Sequence, residues 1–164
     1  NGKNILILGS GGAARAISFT LARNTQLGKL SILDVDGPML QQLTTDLKAG
    51  TDASVQSELL NENTLASAMK IADLIIHCTP VGMHPKEIAS LIPAELYRAE
   101  QVVCDIVYTP LETKLLAEAR SYGLKVIYGV EMFINQAVLQ FERFTGVDAP
   151  AEIMRRVVME HLES

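Results

Sequence analysis

A glycine-rich turn joins the first apolar run of the chain to its first helical segment. Residues 4–8 (NILIL) are continuously apolar, Gly9, Gly11 and Gly12 follow almost at once, and apolar residues then recur at helical spacing over 11–24. A strand that is apolar throughout is buried on both faces, as strands of parallel sheets are. So short a turn between such a strand and a helix favours a βαβ unit.

The same alternation continues along all 164 residues. The pattern predicts strands at 4–8, 29–34, 53–57, 73–78, 101–107 and 124–128, and helices at 11–24, 38–48, 64–69, 109–122, 130–144 and 149–162. Alternating strands and helices with short links predict an α/β fold, a doubly wound parallel sheet with helices on both faces. Right-handed crossovers and two βαβ halves predict a six-stranded, Rossmann-like domain with strand order 3-2-1-4-5-6.

One predicted helix carries a distinct start signal. Thr109, Pro110 and Glu112 match a capping box, with the threonine at the N-cap, the proline at N1 and the glutamate at N3. The sequence therefore predicts that this helix begins at Thr109 and ends before Gly123.

Composition argues against several classes of protein. The chain is 48% hydrophobic and 20% charged, which suits a packed core. Its net charge is −5 and it has no basic block, so we expect no nucleic acid and no membrane among its main partners. Two cysteines without a C-x-x-C motif, and no signal-like start, favour a reducing cytoplasmic location.

The turn after the first strand has the chemistry of a dinucleotide-binding loop. Gly9, Ser10, Gly11, Gly12 and Ala13, followed by a second alanine, fit the pattern G-x-G-x-x-A between a strand and a helix. The first glycine allows the tight turn, the second allows backbone to approach a pyrophosphate, and the small last residue allows close helix packing. The helix N-terminus then offers N–H groups to the anion. The alternative is a plain glycine-rich turn.

An acidic residue follows the second strand, where a dinucleotide-binding domain places its ribose ligand. Asp34 lies 23 residues after Gly11, near the roughly 20 expected for such a carboxylate. It would accept hydrogen bonds from the adenosine ribose hydroxyls and repel a 2′-phosphate, and no Arg or Lys occurs between Asp34 and Thr45. The sequence therefore favours NAD over NADP. The alternative is that Asp34 caps the next helix, a role open to Asp36.

The segment after the fourth strand (HCTPVGMHP, residues 77–85) lies where the crevice of such a sheet is expected. His77, Cys78 and His84 invite a metal-site interpretation, but their spacing gives no tetrahedral ligand set, so no metal is expected. We predict that His77 and Cys78 belong to the core, and that His161, on the last helix, is solvated.

The long helix at 130–144 carries two polar stripes instead of one. The first contains Glu131, Asn135 and Glu142, and the second contains Gln136, Gln140 and Arg143, with Met132 and Leu139 between them. A surface helix needs only one polar stripe. The second stripe therefore predicts a face that looks into a cleft or onto another domain, or else an exposed helix edge.

Four elements, in order and spacing, resemble the shikimate dehydrogenase family. They are residues 9–14 (GSGGAA), 79–83 (TPVGM), 105–113 (DIVYTPLET) and 129–146, where GVEM precedes a Gln-Ala pair and a Phe-Thr-Gly end. The D-x-x-Y-x-P and G-x-x-M-x-x-x-Q-A patterns are specific together, whereas the glycine loop alone is not. The resemblance covers essentially the whole chain but only the C-terminal, cofactor-binding half of the family.

The resemblance implies a reaction and a set of site residues. The family reversibly reduces 3-dehydroshikimate to shikimate with NAD(P), and its N-terminal domain, which carries a Lys–Asp catalytic pair and most of the substrate site, is absent here. Carried over, the glycine loop would cradle the pyrophosphate, Thr79 and Val81 would line the adenosine and ribose side of the cofactor, and Ile106, Gly129 and Met132 would hold the nicotinamide. Tyr108 and Gln136 would reach the substrate, and no catalytic residue would lie in this chain.

One departure from the family pattern bears on cofactor and substrate. NADP-dependent members carry Asn-Arg-Thr after the second strand, where this chain has Asp34, Val35 and Asp36. In this it resembles the NAD-using quinate/shikimate branch, so quinate is an alternative substrate. A non-catalytic NAD-sensing module is a further alternative; the substrate-facing residues disfavour it, as they disfavour a methylene-tetrahydrofolate dehydrogenase.

Two expectations concern the isolated chain. Without its catalytic partner domain it should not oxidise shikimate. The missing domain should also leave an apolar face uncovered, whose exposed side chains are expected among Met83, Met132, Phe133 and Leu139. The chain should form a homodimer through this face.

Overall fold

The computed structural model describes residues 2–162, and its central element is a parallel sheet. The strands are β1 (Lys3–Leu8), β2 (Leu27–Asp34), β3 (Val55–Leu59), β4 (Leu74–His77), β5 (Val102–Asp105) and β6 (Lys125–Ile127). Their order is β3-β2-β1-β4-β5-β6, and every pairing is parallel. The predicted α/β fold and strand order are confirmed.

Helices connect every pair of successive strands except β4 and β5, and others follow β6. They are α1 (Gly12–Asn24), α2 (Gly37–Gly50), α3 (Glu62–Met69), α4 (Lys114–Ser121), α5 (Gly129–Thr145) and α6 (Ala151–Leu162), with a short 3₁₀ turn at Ala94–Leu96. Among residues 2–162, no helix is both long and apolar enough to cross a membrane.

The sheet is buried on both faces, which explains why its central strands are apolar without alternation. Ile5 and Ile7 of β1 pack with residues of α1 and α2 on one face. Leu6 and Leu8 pack with residues of α3 and α4 on the other. Both clusters lie against β1 and β4, so these two strands form the rigid centre on which the loops at the carboxyl edge depend.

The third strand is displaced from its predicted position because its partner sets its register. The sequence predicted 53–57, whereas β3 spans Val55–Leu59 and pairs with β2 from Leu30↔Val55 to Asp34↔Leu59. The segment 53–57 is only weakly apolar, so its own pattern defines a strand poorly. Pairing with β2 therefore determines where β3 begins and ends.

The predicted start of the fourth helix is wrong. The helix begins at Lys114, and its N-cap is Thr113, whose hydroxyl oxygen accepts a hydrogen bond from the Leu116 N–H. The same hydroxyl donates to the Asp105 carboxylate over 2.7 Å. Thr109 has the stronger local capping signal, but the hydrogen bond to the buried Asp105 at the end of β5 favours Thr113 as the cap. The residues between β5 and Thr113 therefore form a loop.

Asp36 is the N-cap of α2, a role that the sequence left open between Asp34 and Asp36. The Asp36 carboxylate accepts a hydrogen bond from the Met39 N–H over 2.9 Å. Asp34 is therefore not needed as a cap, and its carboxylate is available for another role at the end of β2.

The two threonines give a direct test of the α4 start. Thr113→Val removes a buried hydroxyl that caps α4 and donates to Asp105, so it should lower the free energy of unfolding by roughly 1–3 kcal/mol. Thr109→Val, an exposed change outside the helix, should stay within roughly 0.5 kcal/mol of the unmodified chain. Urea denaturation measures both. A larger loss from Thr109→Val than from Thr113→Val would contradict the assigned start.

Candidate functional site

The loops at the carboxyl ends of β1, β4 and β5 surround a crevice where the strand order reverses. Such a reversal is where open α/β sheets bind their ligands. A cavity of about 310 Å³ opens there, between the loops that follow β4 and β5. Its lining residues are Cys78, Thr79, Pro80, Met83, Ile106, Val107, Tyr108 and Thr109.

The first glycine of the turn after β1 is held against the loop after β4. Gly9 has φ of 107°, and a Cβ there would lie 2.8 Å from the Cys78 carbonyl oxygen. A side chain at this position would therefore push the two loops apart. The Gly9 N–H donates to the Leu33 carbonyl over 2.8 Å, which also fixes the turn against β2.

The other two glycines of the turn border open space. A Cβ at Gly11 or Gly12 would meet no atom within 4 Å, and no side chain caps the first turn of α1. Backbone N–H groups at this helix start are thus left accessible, as an anion-binding helix N-terminus requires.

The Asp34 carboxylate is fixed toward this turn. The buried Ser10 hydroxyl donates to Asp34 Oδ2 over 2.6 Å, and the Asp36 N–H donates to Oδ1 over 3.0 Å. Burial raises the pKa of the Asp34 carboxyl, but the hydrogen bonds from the Ser10 hydroxyl and from backbone amides outweigh it, so the pKa lies below its ordinary value. The group is an ionised acceptor at neutral pH, beside the glycine turn.

Sequence reasoning missed a basic side chain near this position, because it lies on α1 and not after β2. Arg15 lines a cavity of about 230 Å³ together with Ser10, Gly11, Met39 and other residues of α1 and α2. Its guanidinium donates to Asp46 over 2.6 Å. A basic residue one turn into the helix that follows the glycine loop was the available signal.

The Arg15 charge is already compensated. The Gln42 amide also donates to the Asp46 carboxylate, over 2.9 Å, and the Arg15 guanidinium stacks on the Phe19 ring at 5.2 Å. The hydrogen bonds from Arg15 and then from Gln42 hold the pKa of Asp46 below its ordinary value. Arg15 is therefore directed toward α2 by an ionised carboxylate.

His77 lies in the core, but it is not an ordinary core residue. Its ring is 1% exposed, with Nδ1 at 2.9 Å from Asp105 Oδ1 and Nε2 at 2.5 Å from the Thr79 hydroxyl. The Val81 N–H donates to the same hydroxyl oxygen over 3.2 Å. The predicted binding residues Thr79 and Val81 are thus tied to each other and to β5.

The two cysteines are poor nucleophiles and poor metal ligands. Burial raises the pKa of Cys78 to about 12 and that of Cys104 to about 11. The thiolate is the form that binds metals and attacks electrophiles, and at neutral pH both thiols are protonated. Across the described residues 2–162, no group of three or more His, Cys, Asp or Glu is placed to hold a metal ion.

The start of α5 presses against the loop after β5. A Cβ at Gly129 would lie 2.6 Å from the Ile106 carbonyl carbon and would also meet the Val107 carbonyl oxygen. Tyr108 stacks on Phe133 of α5, with ring centroids 4.5 Å apart. Close approach at Gly129 therefore brings the α5 face beside the cavity.

The structure groups some of the predicted site residues and separates others. Thr79, Ile106 and Tyr108 line the cavity itself. Met132 and Gln136 lie on α5 with exposed side chains outside the cavity lining.

The two polar stripes of α5 have different surroundings. In the first, Glu131 forms a two-point ion pair with Arg155 of α6 at 2.6 and 2.7 Å, whereas Asn135 is exposed. The second stripe stays exposed, and beside it Met132 and Leu139 are 37% and 59% exposed. The second stripe, exposed throughout, is therefore available to a cleft or to another surface. His161, on α6, is exposed as predicted.

Comparison with known proteins gives a consistent assignment. Residues 129–159 match the family model for the shikimate 5′-dehydrogenase C-terminal domain. The shikimate dehydrogenase (NADP(+)) of Bacillus subtilis is 40% identical over 161 residues, which cover 97% of this chain and 55% of that protein. The chain thus spans about half the length of the curated relatives it matches.

Solved structures of shikimate and quinate dehydrogenases have the same fold as this chain. Shikimate 5-dehydrogenase from Listeria monocytogenes, in complex with shikimate and NAD, superposes with a TM-score of 0.88 at 28% identity, covering 96% of this chain and 56% of that one. Quinate dehydrogenase from Corynebacterium glutamicum, in complex with NAD, gives 0.85 at 28% identity, covering 98% and 56%. By sequence and by fold, this chain belongs to the shikimate dehydrogenase family.

Proposed function

We propose that this chain is the cofactor-binding part of an NAD-dependent dehydrogenase that interconverts a shikimate- or quinate-type alcohol and its ketone. The observation that carries the proposal is the Asp34 carboxylate, which Ser10 holds beside an open, glycine-lined helix start. That arrangement provides an acceptor pair for a ribose and backbone donors for a pyrophosphate in one crevice.

The residues of the crevice fit a nicotinamide dinucleotide along its length. The pyrophosphate would rest on the N–H groups at Gly11 and Gly12, and the adenosine ribose on Asp34. The nicotinamide end would enter the 310 Å³ cavity, where Ile106 is placed to contact it, and Thr79 in the same lining would contact a ribose. The bound cofactor would supply the hydride acceptor or donor, and the chain would orient it and exclude water.

The preference for NAD rests on charge. An ionised Asp34 accepts hydrogen bonds from ribose hydroxyls and repels a 2′-phosphate, while Asp46 engages the nearby Arg15. The Listeria and Corynebacterium structures hold NAD, whereas the Bacillus relative is named for NADP. Family membership alone therefore leaves the cofactor open, and the residues after β2 favour NAD.

The substrate would lie over the outer part of the cavity. Tyr108 is partly exposed at its rim, and Gln136 is exposed on α5, so both could donate hydrogen bonds to a polyol. The Listeria structure holds shikimate, and the Corynebacterium protein is a quinate dehydrogenase. The two substrates share the ring alcohol that would be oxidised, so they form one substrate class here.

The cavity lacks a group that could take the alcohol proton. Its lining contains no carboxylate, lysine or histidine, and the pKa of its one thiol, Cys78, is raised to about 12. His77 lies directly before the cavity loop, but its ring is buried and both nitrogens are hydrogen bonded. Proton transfer therefore requires residues that are not at this cavity.

The cofactor preference can be measured by calorimetric titration. NAD(H) should bind roughly tenfold or more tightly than NADP(H), because the 2′-phosphate would meet Asp34. Asp34→Ala should narrow that gap, whereas Asp52→Ala, an exposed aspartate distant in sequence, should leave it unchanged. Since the pKa of Asp34 lies below its ordinary value, the preference should persist at neutral pH and decline only in acid, below the range where an ordinary aspartate titrates. Equal affinities would contradict the assignment.

The absence of a proton acceptor gives a second prediction. Shikimate or quinate added with NAD to the 164-residue chain should give no steady increase in NADH absorbance. A general base must lie within about 3 Å of the hydroxyl whose proton it takes, and the described cavity offers none. Sustained NADH formation by the purified chain would show that the cavity residues suffice.

The uncovered apolar side chains beside the crevice predict self-association. Met83 is 45% exposed and Leu139 lies on the exposed face of α5, while Phe133, expected to belong to the same surface, is partly buried and stacks on Tyr108. An exposed apolar surface of this kind favours association that buries it, and a two-fold dimer is the commonest closed assembly. Light scattering over a concentration series should show a dimer that Met83→Glu and Met132→Glu weaken.

The matched control for the dimer is Ile71→Glu, which places the same charge on an exposed residue before β4, at the opposite edge of the sheet. It should leave the dimer intact. A chain that stays monomeric, or a dimer insensitive to both methionine variants, would refute this surface as the contact.

A further inference from the structure

A chain of buried hydrogen bonds connects the start of α4 to the cavity. The Thr113 hydroxyl donates to Asp105 Oδ2 over 2.7 Å, Asp105 Oδ1 contacts His77 Nδ1 at 2.9 Å, and His77 Nε2 contacts the Thr79 hydroxyl at 2.5 Å. Asp105 and Thr113 have no exposed surface, and His77 has 1%. Only Thr79 reaches the cavity, so the other three residues act there through it.

The donors around Asp105 determine which ring nitrogen of His77 carries a proton. The Thr113 hydroxyl and the Val107 N–H both donate to the carboxylate, the latter over 3.0 Å, so Asp105 serves as an acceptor. His77 Nδ1 must then be protonated in order to donate to Oδ1. In a neutral imidazole, a proton on Nδ1 leaves Nε2 as an unprotonated acceptor.

This tautomer determines the direction of the Thr79 hydroxyl. An unprotonated Nε2 can only accept, so the Thr79 O–H points at the histidine. The hydroxyl oxygen also accepts from the Val81 N–H. A hydroxyl has one proton and two lone pairs, so one lone pair remains for the cavity and no proton does.

We propose that His77 and Asp105 are positioning residues that make Thr79 a pure acceptor in the cofactor site, selecting a ribose hydroxyl and disfavouring a phosphate oxygen at that point. The inference rests on the proposed function, because it takes the ligand to be a nicotinamide dinucleotide. It assigns a role to a histidine that sequence reasoning placed in the core, and it explains why a carboxylate without exposed surface lies behind a ligand loop.

The first test reads the tautomer itself and needs no ligand. In the ¹⁵N-labelled chain, His77 should show a protonated Nδ1 and an unprotonated Nε2 in two-bond correlation spectra. The chain has three histidines, so His84→Asn and His161→Asn identify the His77 signals by elimination without disturbing the buried pair. A proton on Nε2, alone or together with one on Nδ1, would overturn the proposal.

The second test asks whether the Thr79 oxygen contacts the cofactor. Thr79→Val should weaken NADH binding in fluorescence titration by roughly fivefold to tenfold, the effect of one hydrogen bond, while Thr79→Ser, which keeps the hydroxyl, should bind within about twofold of the unmodified chain. Thr45→Val, the same substitution on the exposed surface of α2, is the control and should have no effect.

The third test links His77 to that contact. His77→Asn should weaken NADH binding by a similar factor, and adding Thr79→Val to it should cause little further loss, because one interaction cannot be lost twice. If the chain binds NADH and Thr79→Val binds as well as the unmodified chain, this inference fails and the cofactor assignment stands. If the unmodified chain does not bind NADH, the cofactor assignment fails as well.

Discussion

The Asp105 carboxylate holds together the part of the molecule where a ligand would bind. It lies at the end of β5 with no exposed surface, receives hydrogen bonds from α4 through Thr113 and from the following loop through the Val107 N–H, and lies 2.9 Å from His77 Nδ1 of β4. Leaving a buried partner of such a set unpaired costs roughly 1–3 kcal/mol. One acidic side chain thus fixes the α4 start and the geometry of the loop that carries Thr79.

Close backbone approach at two glycines brings the remaining walls of the crevice into place. Gly9 allows the turn after β1 to lie on the Cys78 carbonyl, and Gly129 allows α5 to lie on the Ile106 and Val107 carbonyls. A Cβ at either position would lie less than 3.0 Å from a backbone carbonyl, so the elements would have to move apart. The cavity is therefore bounded by backbone contacts, which side-chain motions cannot easily open.

The charges around the glycine turn support the proposed cofactor preference. Asp34, fixed by Ser10, places a negative group beside the turn, and Asp46 keeps the Arg15 guanidinium on α2. Under the proposed function the two aspartates would act in the same direction, since one would repel a 2′-phosphate and the other engages the cation that could attract it. Cofactor preference would then be distributed over β2, α1 and α2.

The sequence by itself determined the parallel sheet, its strand order and the glycine turn, because continuous apolar runs and G-x-G-x-x-A depend on local spacing and on double-sided burial. It could also place Asp34, since the distance from the glycine loop to the end of the next strand is nearly constant. Tertiary structure alone decided the α4 start, the partner of Arg15 and the role of His77. Each of these depends on a residue remote in sequence, Asp105 or Asp46, and a local pattern cannot show which distant carboxylate a side chain will meet.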